Sequence, residues 1–510
     1  MDLFMNSAVC LLERAAEKFC NKTAFEDMDS KLSFTELRAR SRALASGILS
    51  RVKTGREYPI IIHLPKSVDS IVAFMGVLYT GSPYAPVEYT IAPVRMETIT
   101  ANLKPSMIIT DAEGKESLSK LALDTEIAVL EELTGGSDDA AVNDALYKVC
   151  DLDGAYIMHT SGSTGVPKGV TISNRGVIDY ASWIKAAFDI NENDIIGLNS
   201  PFHFDNSIFD VYTTLYTGAK TLIIPEKLFM YPDKLMEYVA EKEVSVIFWV
   251  PTVMISVANS GALDAVELPK LKNILFAGEV MPCKQLNIWR KKLPDSAYTN
   301  LYGPTETNVC TYYKVDREFS DSDSLPIGKA CENMRVLILN EDNKRCGIGE
   351  PGELCISTSG RSLEYWNAPD ISSRVFVQNP LNTKYHDKIY RTGDLVYEAE
   401  DGNIMFMGRR DNQIKLRGNR IELGDLENAA AQLDGVLSAC ALFDKVRQEI
   451  VLFVETDKEI APRKYRMSLW DFVPGYMVPA RVVTMAKFPH TASGKIDRVG
   501  LRKAYIEGDS

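Results

Sequence analysis

The sequence predicts an α/β fold, because helical and strand-like segments alternate along most of the chain. Up to about residue 410, helical stretches alternate with short apolar runs that end at Gly, Pro or Asp. After residue 411 the pattern changes to a helix, two strands and a basic, proline-punctuated tail. We therefore predict a large domain over residues 1–410 and a small α+β domain over 411–510, with the boundary near "GRRDNQIKLRG" (408–418).

Local patterns assign the first elements. Ser33 and Glu36 have the spacing of a capping box, so the apolar periodicity of residues 33–49 predicts a helix. In the small domain, a helix is expected over residues 421–436. Short apolar runs predict buried strands at 59–64, 106–110, 155–159, 221–225, 245–250, 273–278, 437–443 and 449–456.

Composition excludes several classes of function. The chain has 510 residues and a formal net charge of −12, which argues against a nucleic-acid partner because phosphate binding needs clustered Lys and Arg. Nine scattered cysteines without CxxC spacing predict reduced thiols and a cytoplasmic protein. No apolar run approaches the ~20 residues that cross a bilayer, so no membrane partner is expected.

The segment "IMHTSGSTGVPKGV" (157–170) predicts a phosphate-binding loop. Glycines allow backbone N–H groups and hydroxyls to converge on a polyanion. The spacing is not GxxxxGK[ST], and "VTISN" after Lys168 is typical of a strand rather than of the helix that follows a P-loop. The alternative, a flexible solvent loop, is disfavoured by the apolar strand before it and by the lysine.

Five ordered motifs resemble those of the adenylate-forming enzymes, specifically the amino-acid adenylation domains of nonribosomal peptide synthesis and their free-standing relatives. The resemblance covers nearly the whole chain. The motifs are "TSGSTGVPKGV" (160–170), "NLYGPTET" (300–307), "YRTGDL" (390–395), "GRRDNQIKLRGNRIELGDLE" (408–427) and "PHTASGKIDR" (489–498). The resemblance implies a large domain of mixed sheets flanked by helices, a small mobile C-terminal domain, ATP and Mg²⁺.

The resemblance also implies roles for individual residues. Thr305 would contact the α-phosphate, Glu306 would hold Mg²⁺, and Asp394 would accept the ribose hydroxyls. Taken singly, Glu306 could be a helix-start carboxylate and Asp394 an Asx-turn residue. The remaining nucleotide-binding positions are Thr160, Ser161, Gly162, Ser163, Thr164, Gly165, Lys168, Asn300, Tyr302, Gly303, Arg409 and Lys415.

The family's reaction joins a carboxylate to the α-phosphate of ATP and then passes the acyl group to a thiol. Lys495 matches the lysine that stabilises charge during adenylation, although an isolated lysine in such a turn is usually a solvated charge. His203 is a further candidate catalytic residue. Asp411 matches the hinge about which the small domain rotates between the two steps.

Asp205 favours an amino acid as the substrate. It matches the family aspartate that pairs with an α-ammonium group, and its alternative role is a helix cap. The resemblance implies a pocket that is mostly apolar and suits a small or medium uncharged side chain. Its lining would be Asp205, Asn206, Phe209, Phe248, Leu275, Ala277, Gly278, Leu301, Val309 and Cys310.

The series from Leu275 to Cys310 is similar to that of free-standing prolyl-activating enzymes, whereas Asn206, Phe209 and Phe248 depart from that pattern. L-Proline is therefore the first expectation, with alanine of either enantiomer or serine next.

Because no carrier-like helices precede the closing "GDS", we expect a stand-alone ligase that loads a separate phosphopantetheinyl carrier protein. The basic segments 463–466 and 498–505 could meet an acidic carrier or be solvated faces. Two other classes stay open. One is an acyl- or aryl-CoA ligase in which Asp205 is structural, and the other is a non-catalytic homologue.

Overall fold

The structure is a computed structural model that describes residues 5–135, 138–160, 167–410, 413–456, 458, 461–489 and 496–507. The chain divides into two compact units. The first consists of Met1–Tyr89, Leu103–His159 and Gly169–Arg410. The second consists of Thr90–Asn102, Thr160–Lys168 and Asp411–Ser510. The second unit therefore contains residues 411–510 together with two short segments of the N-terminal part. The predicted division into domains of residues 1–410 and 411–510 stays a prediction.

The helices, in chain order, are α1 (Cys10–Phe19), α2 (Phe34–Leu49), α3 (Val68–Tyr79), α4 (Pro93–Leu103), α5 (Ala112–Leu118), α6 (Leu130–Leu133), α7 (Asp139–Tyr147), α8 (Asn174–Phe188), α9 (Asn206–Thr217), α10 (Pro232–Glu241), α11 (Pro251–Ser260), α12 (Cys283–Lys292), α13 (Pro369–Val375), α14 (Leu423–Ala431), α15 (Pro462–Ser468) and α16 (Arg498–Arg502).

The strands are β1 (Thr23–Glu26), β2 (Lys31–Ser33), β3 (Ile60–His63), β4 (Tyr84–Pro86), β5 (Met107–Thr110), β6 (Glu126–Val129), β7 (Gly154–Thr160), β8 (Lys168–Ser173), β9 (Ile195–Leu198), β10 (Lys220–Ile223), β11 (Val246–Trp249), β12 (Asn273–Ala277), β13 (Ala297–Tyr302), β14 (Thr311–Lys314), β15 (Lys329–Ala330), β16 (Met334–Leu339), β17 (Gly352–Thr358), β18 (Phe376–Gln378), β19 (Lys388–Glu398), β20 (Ile404–Arg409), β21 (Gln413–Leu416), β22 (Asn419–Glu422), β23 (Ser438–Asp444), β24 (Glu449–Glu455) and β25 (Arg481–Met485).

A nine-stranded mixed sheet is the largest element of the first unit. Its order is β15-β14-β13-β12-β11-β9-β10-β1-β2. The strands from β13 to β1 run parallel, and β14, β15 and β2 pair antiparallel at the edges. Parallel strands buried on both faces form continuous apolar runs, as in "VIFW" of β11 and "NILFA" of β12.

Two further sheets complete the large domain. A six-stranded sheet has the order β6-β5-β3-β4-β7-β8, and its strands from β6 to β7 pair in parallel. A five-stranded antiparallel sheet is built from β16 to β20, with β19 at its centre. The predicted α/β class with mixed sheets and flanking helices is therefore confirmed.

The C-terminal region forms a hairpin of β21 and β22 and a three-stranded sheet in the order β23-β24-β25. Its core is a cluster in which Leu426 and Ala430 of α14 pack with Leu452 and Val454 of β24. The helix and both strands expected here are present, although the helix begins at Leu423 because Asn419–Glu422 pairs as a strand.

The local predictions are confirmed. Ser33 accepts a hydrogen bond from the Glu36 N–H and the Glu36 carboxylate accepts one from the Ser33 N–H, so α2 begins with a capping box. The predicted strands of the large domain correspond to β3, β5, β7, β10, β11 and β12. All nine cysteines are free thiols. Among the described residues, no helix combines the length and apolarity that a bilayer crossing requires.

Candidate functional site

The parallel strands bring the predicted substrate residues to one edge of the nine-stranded sheet. Asp205 and Asn206 follow β9, Phe248 lies near the end of β11, Ala277 ends β12, and Leu301 lies near the end of β13. Because the carboxyl ends of parallel strands meet at the same edge, segments nearly 100 residues apart become neighbours. The register pairs Phe248 with Leu275 and Ala277 with Leu301.

Most of the residues predicted to line the substrate pocket lie on one face of this sheet. Phe209, Phe248, Leu275, Ala277, Leu301 and Val309 belong to one buried cluster. The alternate residues Ile247, Trp249, Ile274 and Phe276 belong to the cluster on the other face. The centroids of the Phe209 and Phe248 rings lie 5.0 Å apart, and the ring planes are tilted by 55°, so the two rings pack against each other. Gly278 follows β12 directly.

Cys310 lies apart from the other predicted pocket residues. Its buried side chain packs with Tyr302 in a separate cluster, whereas Val309 packs with Phe209 and Phe248. Successive side chains of an extended segment point to opposite sides, which explains the separation.

Asp205 precedes α9 but makes no side-chain capping hydrogen bond, so the helix-cap alternative is not supported. The residue is half-buried. Burial raises the pKa values of Tyr156 and Tyr180 well above their usual range, and the charge of Asp205 adds to both increases. The carboxylate therefore lies within electrostatic reach of two buried phenols.

The 303–308 loop is attached to this region by Asn308. The Tyr156 hydroxyl donates to Asn308 Oδ1 over 3.0 Å. Glu306 is fully buried, and its Oε1 accepts a 2.6 Å hydrogen bond from the Tyr365 hydroxyl. The Glu306 carbonyl accepts from the Ser362 N–H over 2.6 Å. The chain thus fixes Glu306 through both its backbone and its side chain.

Gly303 is required by a close backbone approach inside this loop. A Cβ on residue 303 would lie 1.5 Å from the Asn308 carbonyl oxygen, far inside van der Waals contact. The half-buried Thr305 lies between these two points. The loop that presents Thr305 and Glu306 therefore closes on itself only with glycine at its start.

A second polar group joins β13, β19 and β20. The Tyr302 hydroxyl donates to Asp394 Oδ2, and Arg409 Nη1 donates to Asp394 Oδ1 over 2.7 Å. Burial, followed by the charge of Asp394, raises the pKa of Tyr302 well above its usual range, so this hydroxyl stays a donor. The Phe406 ring lies 6.1 Å from the Tyr302 ring and is partly exposed.

The other predicted residues of the first unit have clear positions. Asn300 is buried on β13, where its Nδ2 donates to the Pro326 carbonyl over 2.7 Å. His203 is half-buried between β9 and α9, and its ring lies 4.5 Å from the Phe204 ring.

Within the second unit, Lys168 Nζ lies 3.7 Å from Glu422 Oε1, and both side chains are largely buried. Thr160 ends β7, and its buried Oγ1 has no hydrogen-bond partner among the described residues. Lys415 lies on β21. Ser161, Gly162, Ser163, Thr164, Gly165, Asp411 and Lys495 lie outside the described residues.

A Mg²⁺ ion that is bound together with a nucleotide would need few ligands from the protein. Among the described residues, no three His, Cys, Asp or Glu side chains group as a metal site. A single carboxylate such as Glu306 is nevertheless enough where phosphate and water oxygens complete the octahedron, as Mg²⁺ prefers.

A buried carboxyl group lies on α9, next to the pocket residue Phe209. Asp210 is fully buried, and neither of its carboxyl oxygens has a hydrogen-bond partner within the described chain. Burial raises its pKa well above the usual range, and the charge of Lys66 opposes the shift. Burial also lowers the pKa of Lys66 to about 8, and Lys66 Nζ donates to the Asn199 carbonyl over 2.7 Å.

Sequence comparison decides the family. Residues 12–366 match the AMP-binding enzyme family. The chain belongs to that family. This membership confirms the predicted resemblance to the adenylate-forming enzymes.

Two curated relatives match this chain over very different shares of their own length. The chain is 30% identical over 496 residues to tyrocidine synthase 1 of Brevibacillus parabrevis, covering 96% of this chain but 44% of that protein. It is also 30% identical over 503 residues to the L-proline–[L-prolyl-carrier protein] ligase of Pseudomonas fluorescens, covering 96% of this chain and 97% of that protein. The chain thus spans less than half of the first relative.

Solved structures support the fold. Holo-PA1221, an NRPS protein with adenylation and PCP domains, has a TM-score of 0.83 at 20% identity over 98% of this chain and 84% of its own. The o-succinylbenzoate CoA synthetase of Bacillus subtilis has a TM-score of 0.84 at 18% identity, covering 97% of this chain and 98% of its own. At these identities the similarity concerns the fold alone.

Sequence reasoning missed the residues that support the site from a distance in the chain. Tyr156, Tyr180 and Tyr365 lie outside the five motifs, and no spacing pattern in the sequence indicated a role for them. Phe406 is an aromatic residue just before the motif "GRRD". Only its contact with Tyr302 indicates that it belongs to the candidate site.

Replacing Gly303 by alanine should disrupt the 303–308 loop. The added Cβ cannot share space with the Asn308 carbonyl, so the loop must move and take Thr305 and Glu306 with it. We expect the affinity for ATP, measured by calorimetry, to fall roughly tenfold or more, with a lower melting temperature. The control is Gly347→Ala, where the nearest atom would be 3.8 Å away. Equal ATP affinity in both variants would contradict the assignment.

Replacing Asp210 by asparagine should make the protein progressively more stable than the wild type as pH rises from about 4 to 7. The folded-state pKa of Asp210 is raised, so folding retains a proton that the unfolded carboxyl, with a pKa of about 3.9, releases. This favourable contribution is complete below the unfolded pKa and is lost as pH rises toward the folded pKa. Asparagine does not titrate. Denaturant unfolding at several pH values measures the difference.

The exposed Asp233→Asn variant is the control and should show no such trend. A loss of about 3 kcal/mol in Asp210→Asn at pH 7 would instead indicate a charged Asp210 paired with Lys66, and would contradict the neutral assignment.

Proposed function

We propose that the protein uses MgATP to convert a small uncharged amino acid, with L-proline first, into an aminoacyl-adenylate and then transfers it to the phosphopantetheine thiol of a separate carrier protein. The observation that carries this proposal is the setting of Asp205. A carboxylate that does not cap its helix, within electrostatic reach of buried phenols and directly before a helix whose Phe209 belongs to a buried apolar cluster, suits an α-ammonium group.

The composition of the pocket supports an uncharged side chain. Phe209, Phe248, Leu275 and Ala277 are buried apolar residues on the same face. A charged side chain among them would lose its hydration without gaining a partner. The tilted pair of phenylalanine rings suits the compact apolar pyrrolidine ring of proline, whose secondary ammonium can still pair with Asp205. Alanine of either enantiomer and serine remain the next candidates, since either fits a pocket of this chemistry.

Two polar groups would receive the nucleotide. Asp394 would accept the ribose hydroxyls, with Arg409 and Tyr302 fixing its carboxylate. The adenine would lie near Asn300 and against the rings of Tyr302 and Phe406. Thr160, the glycine-rich loop and Lys168 would bind the β- and γ-phosphates. Glu306 would hold Mg²⁺, which supplies charge neutralisation for the triphosphate.

The reaction has two balanced steps. In the first, a carboxylate oxygen of the amino acid attacks the α-phosphorus, the bond to the bridging oxygen breaks, and pyrophosphate leaves. In the second, the carrier thiol, after losing its proton to solvent, attacks the acyl carbon and AMP leaves. Thr305 would contact the α-phosphate in the first step, and Lys495 would offset the charge that develops there. His203 would lie close to the entering carboxylate.

We propose that residues 411–510 form the lid that delivers Lys495 for adenylation, and that rotation about Asp411 then brings the Lys415 region to the thiol. The pairing of Lys168 with Glu422 supports a link between the phosphate loop and this C-terminal segment. Such alternation lets a single pocket carry out two reactions.

A carrier-bound acceptor is supported by the relative that is named an L-proline–[L-prolyl-carrier protein] ligase. A CoA ligase is the second candidate, because a CoA synthetase has the same fold. Asp205 favours the first candidate, since a carboxylate can form an ion pair with the ammonium group of an amino acid, whereas an acid without that group offers no such pairing.

Substrate specificity is tested by amino-acid-dependent ATP–pyrophosphate exchange with the twenty amino acids, D-alanine, and several fatty and aryl acids. We expect proline to give the highest kcat/KM, followed by alanine or serine. Asp205→Asn should reduce kcat/KM for the preferred amino acid by roughly 30-fold or more, because a buried charge pair loses one partner. Asp233→Asn, an exposed carboxylate, is the matched control.

A response only to acids without an amino group would overturn the proposal in favour of the CoA ligase. The acceptor is then assigned by offering CoA, pantetheine and phosphopantetheinylated carrier proteins to the enzyme loaded with its preferred acid.

Lys495→Ala should separate the two steps. We expect the rate of adenylate formation to fall by a factor on the order of 100 or more, because one positioned charge is removed from the transition state. Thioester formation from synthetic aminoacyl-adenylate should stay within about twofold of wild type. Lys487→Ala, an exposed lysine eight positions earlier, should change neither rate. Equal losses in both half-reactions would exclude a role confined to adenylation.

A further inference from the structure

An exposed stripe on the C-terminal unit combines basic and large apolar side chains. It consists of Arg463, Lys464, Arg466, Met467 and Trp470, all exposed, and we call it the Trp470 stripe. Met467 is 61% exposed and Trp470 is 56% exposed. Helical spacing aligns these residues, because Arg463 and Met467, and Arg466 and Trp470, are each four apart.

The opposite side of the same segment anchors it. Tyr465 and Leu469, also four residues apart, are buried in the core of the C-terminal unit. The stripe is therefore the solvent side of α15 and of the 3₁₀ turn Leu469–Asp471 that continues it. Exposure of Met467 and Trp470 is a consequence of this register, because the apolar side of the helix is already occupied.

The Trp470 ring is held against backbone. A Cβ on Gly475 would lie 2.8 Å from Trp470 Cζ3 and 3.1 Å from Cη2, so the ring lies flush on a residue without a side chain. A large aromatic surface is thus ordered before any partner arrives, and binding would lose little side-chain entropy there. Preorganised Trp and Arg are the residue types that contribute most to protein interfaces.

Charge distinguishes this region from the rest of the chain. Within the described residues no salt bridge includes Arg463, Lys464 or Arg466, although Lys464 lies within electrostatic reach of Asp434, which pairs with Lys458. Glu459 and Asp471 flank the segment in the sequence. Residues 411–510 contain 15 Lys and Arg and 14 Asp and Glu, a net charge of +1. The whole chain carries −12, so residues 1–410 carry −13. An acidic partner is repelled by the large domain and attracted to the stripe.

We propose that the Trp470 stripe is the docking surface for the acidic face of the carrier protein that accepts the acyl group. The inference rests on the proposed function, which requires a protein acceptor supplied from outside the chain. A purely solvated basic face would not need an ordered tryptophan and an exposed methionine among its charges. The stripe binds the protein part of the acceptor, whereas the thiol itself reacts elsewhere.

The test compares three reactions in Trp470→Ala and in Arg463→Glu/Arg466→Glu. For each variant one measures amino-acid-dependent pyrophosphate exchange, thioester formation on free pantetheine, and loading of the carrier protein that the wild type loads fastest in the acceptor panel. We expect the KM for the carrier to rise roughly tenfold or more in both variants. Exchange and pantetheine loading should stay within about twofold of the wild type, which also verifies folding.

Salt should discriminate between the two variants. Raising the ionic strength from about 0.05 to 0.5 M should increase the wild-type KM for the carrier, since exposed charges are screened. The charge-reversal variant should lose this dependence, and Trp470→Ala should keep it. Matched controls in the same domain are Val446→Ala, an exposed apolar residue, and Lys445→Glu, and neither should alter carrier loading.

An unchanged KM for the carrier in both stripe variants would overturn the inference while leaving the proposed function intact. Altered self-association in gel filtration, or lost binding to vesicles of anionic lipid, with carrier loading unchanged, would likewise overturn it in favour of another occupant. Failure of the wild type to show exchange with any amino acid would count against the proposed function instead.

Discussion

The parallel pairing of β9, β11, β12 and β13 is the constraint on which the candidate site depends. These strands end at the same edge, and residues predicted to bind the substrate or the nucleotide lie close to it: Asp205 after β9, Phe248 in β11, Ala277 in β12 and Tyr302 in β13. Moving one strand by a single residue would transfer Phe248 or Leu275 from the pocket face to the opposite core. The buried apolar clusters on both faces therefore fix the chemistry at the edge, because only one register satisfies both.

Around this edge, the acidic side chains are distinguished by how they are held. Asp394 and Glu306 each accept a hydrogen bond from a buried tyrosine, and Asp394 also pairs with Arg409. Such donors keep a carboxylate oriented where water has been removed. Asp205 is only half-buried beside Tyr156 and Tyr180, and Asp210 is fully buried without a hydrogen-bond donor among the described residues. These carboxyl groups thus differ in accessibility and in hydrogen bonding, and such differences in surroundings allow one residue type to have different tasks.

The C-terminal unit differs from the first unit in its net charge and in its exposed side chains. It has a compact core of its own, almost no net charge, and an outer helix that carries cations and a fixed aromatic ring. Under the proposed function, the surface that attracts an acidic carrier protein is thus separated in the chain from the nucleotide site. The first unit contains the buried apolar cluster, and the C-terminal unit carries the exposed Trp470 stripe.

The sequence by itself determined the α/β class, the positions of six buried strands, the capping box of α2, and the family to which the chain belongs. These follow from local spacing: apolar runs, a Ser-x-x-Glu pair, and motifs whose residues are close together in the chain. Tertiary structure alone decided that Cys310 packs with Tyr302 rather than with Phe209, that Tyr365 holds Glu306, and that Gly303 must admit the Asn308 carbonyl. These facts depend on contacts between residues far apart in the chain or on the turn of a single loop. Spacing along a sequence does not encode which distant groups will share a volume, because packing selects them only after the strands have aligned.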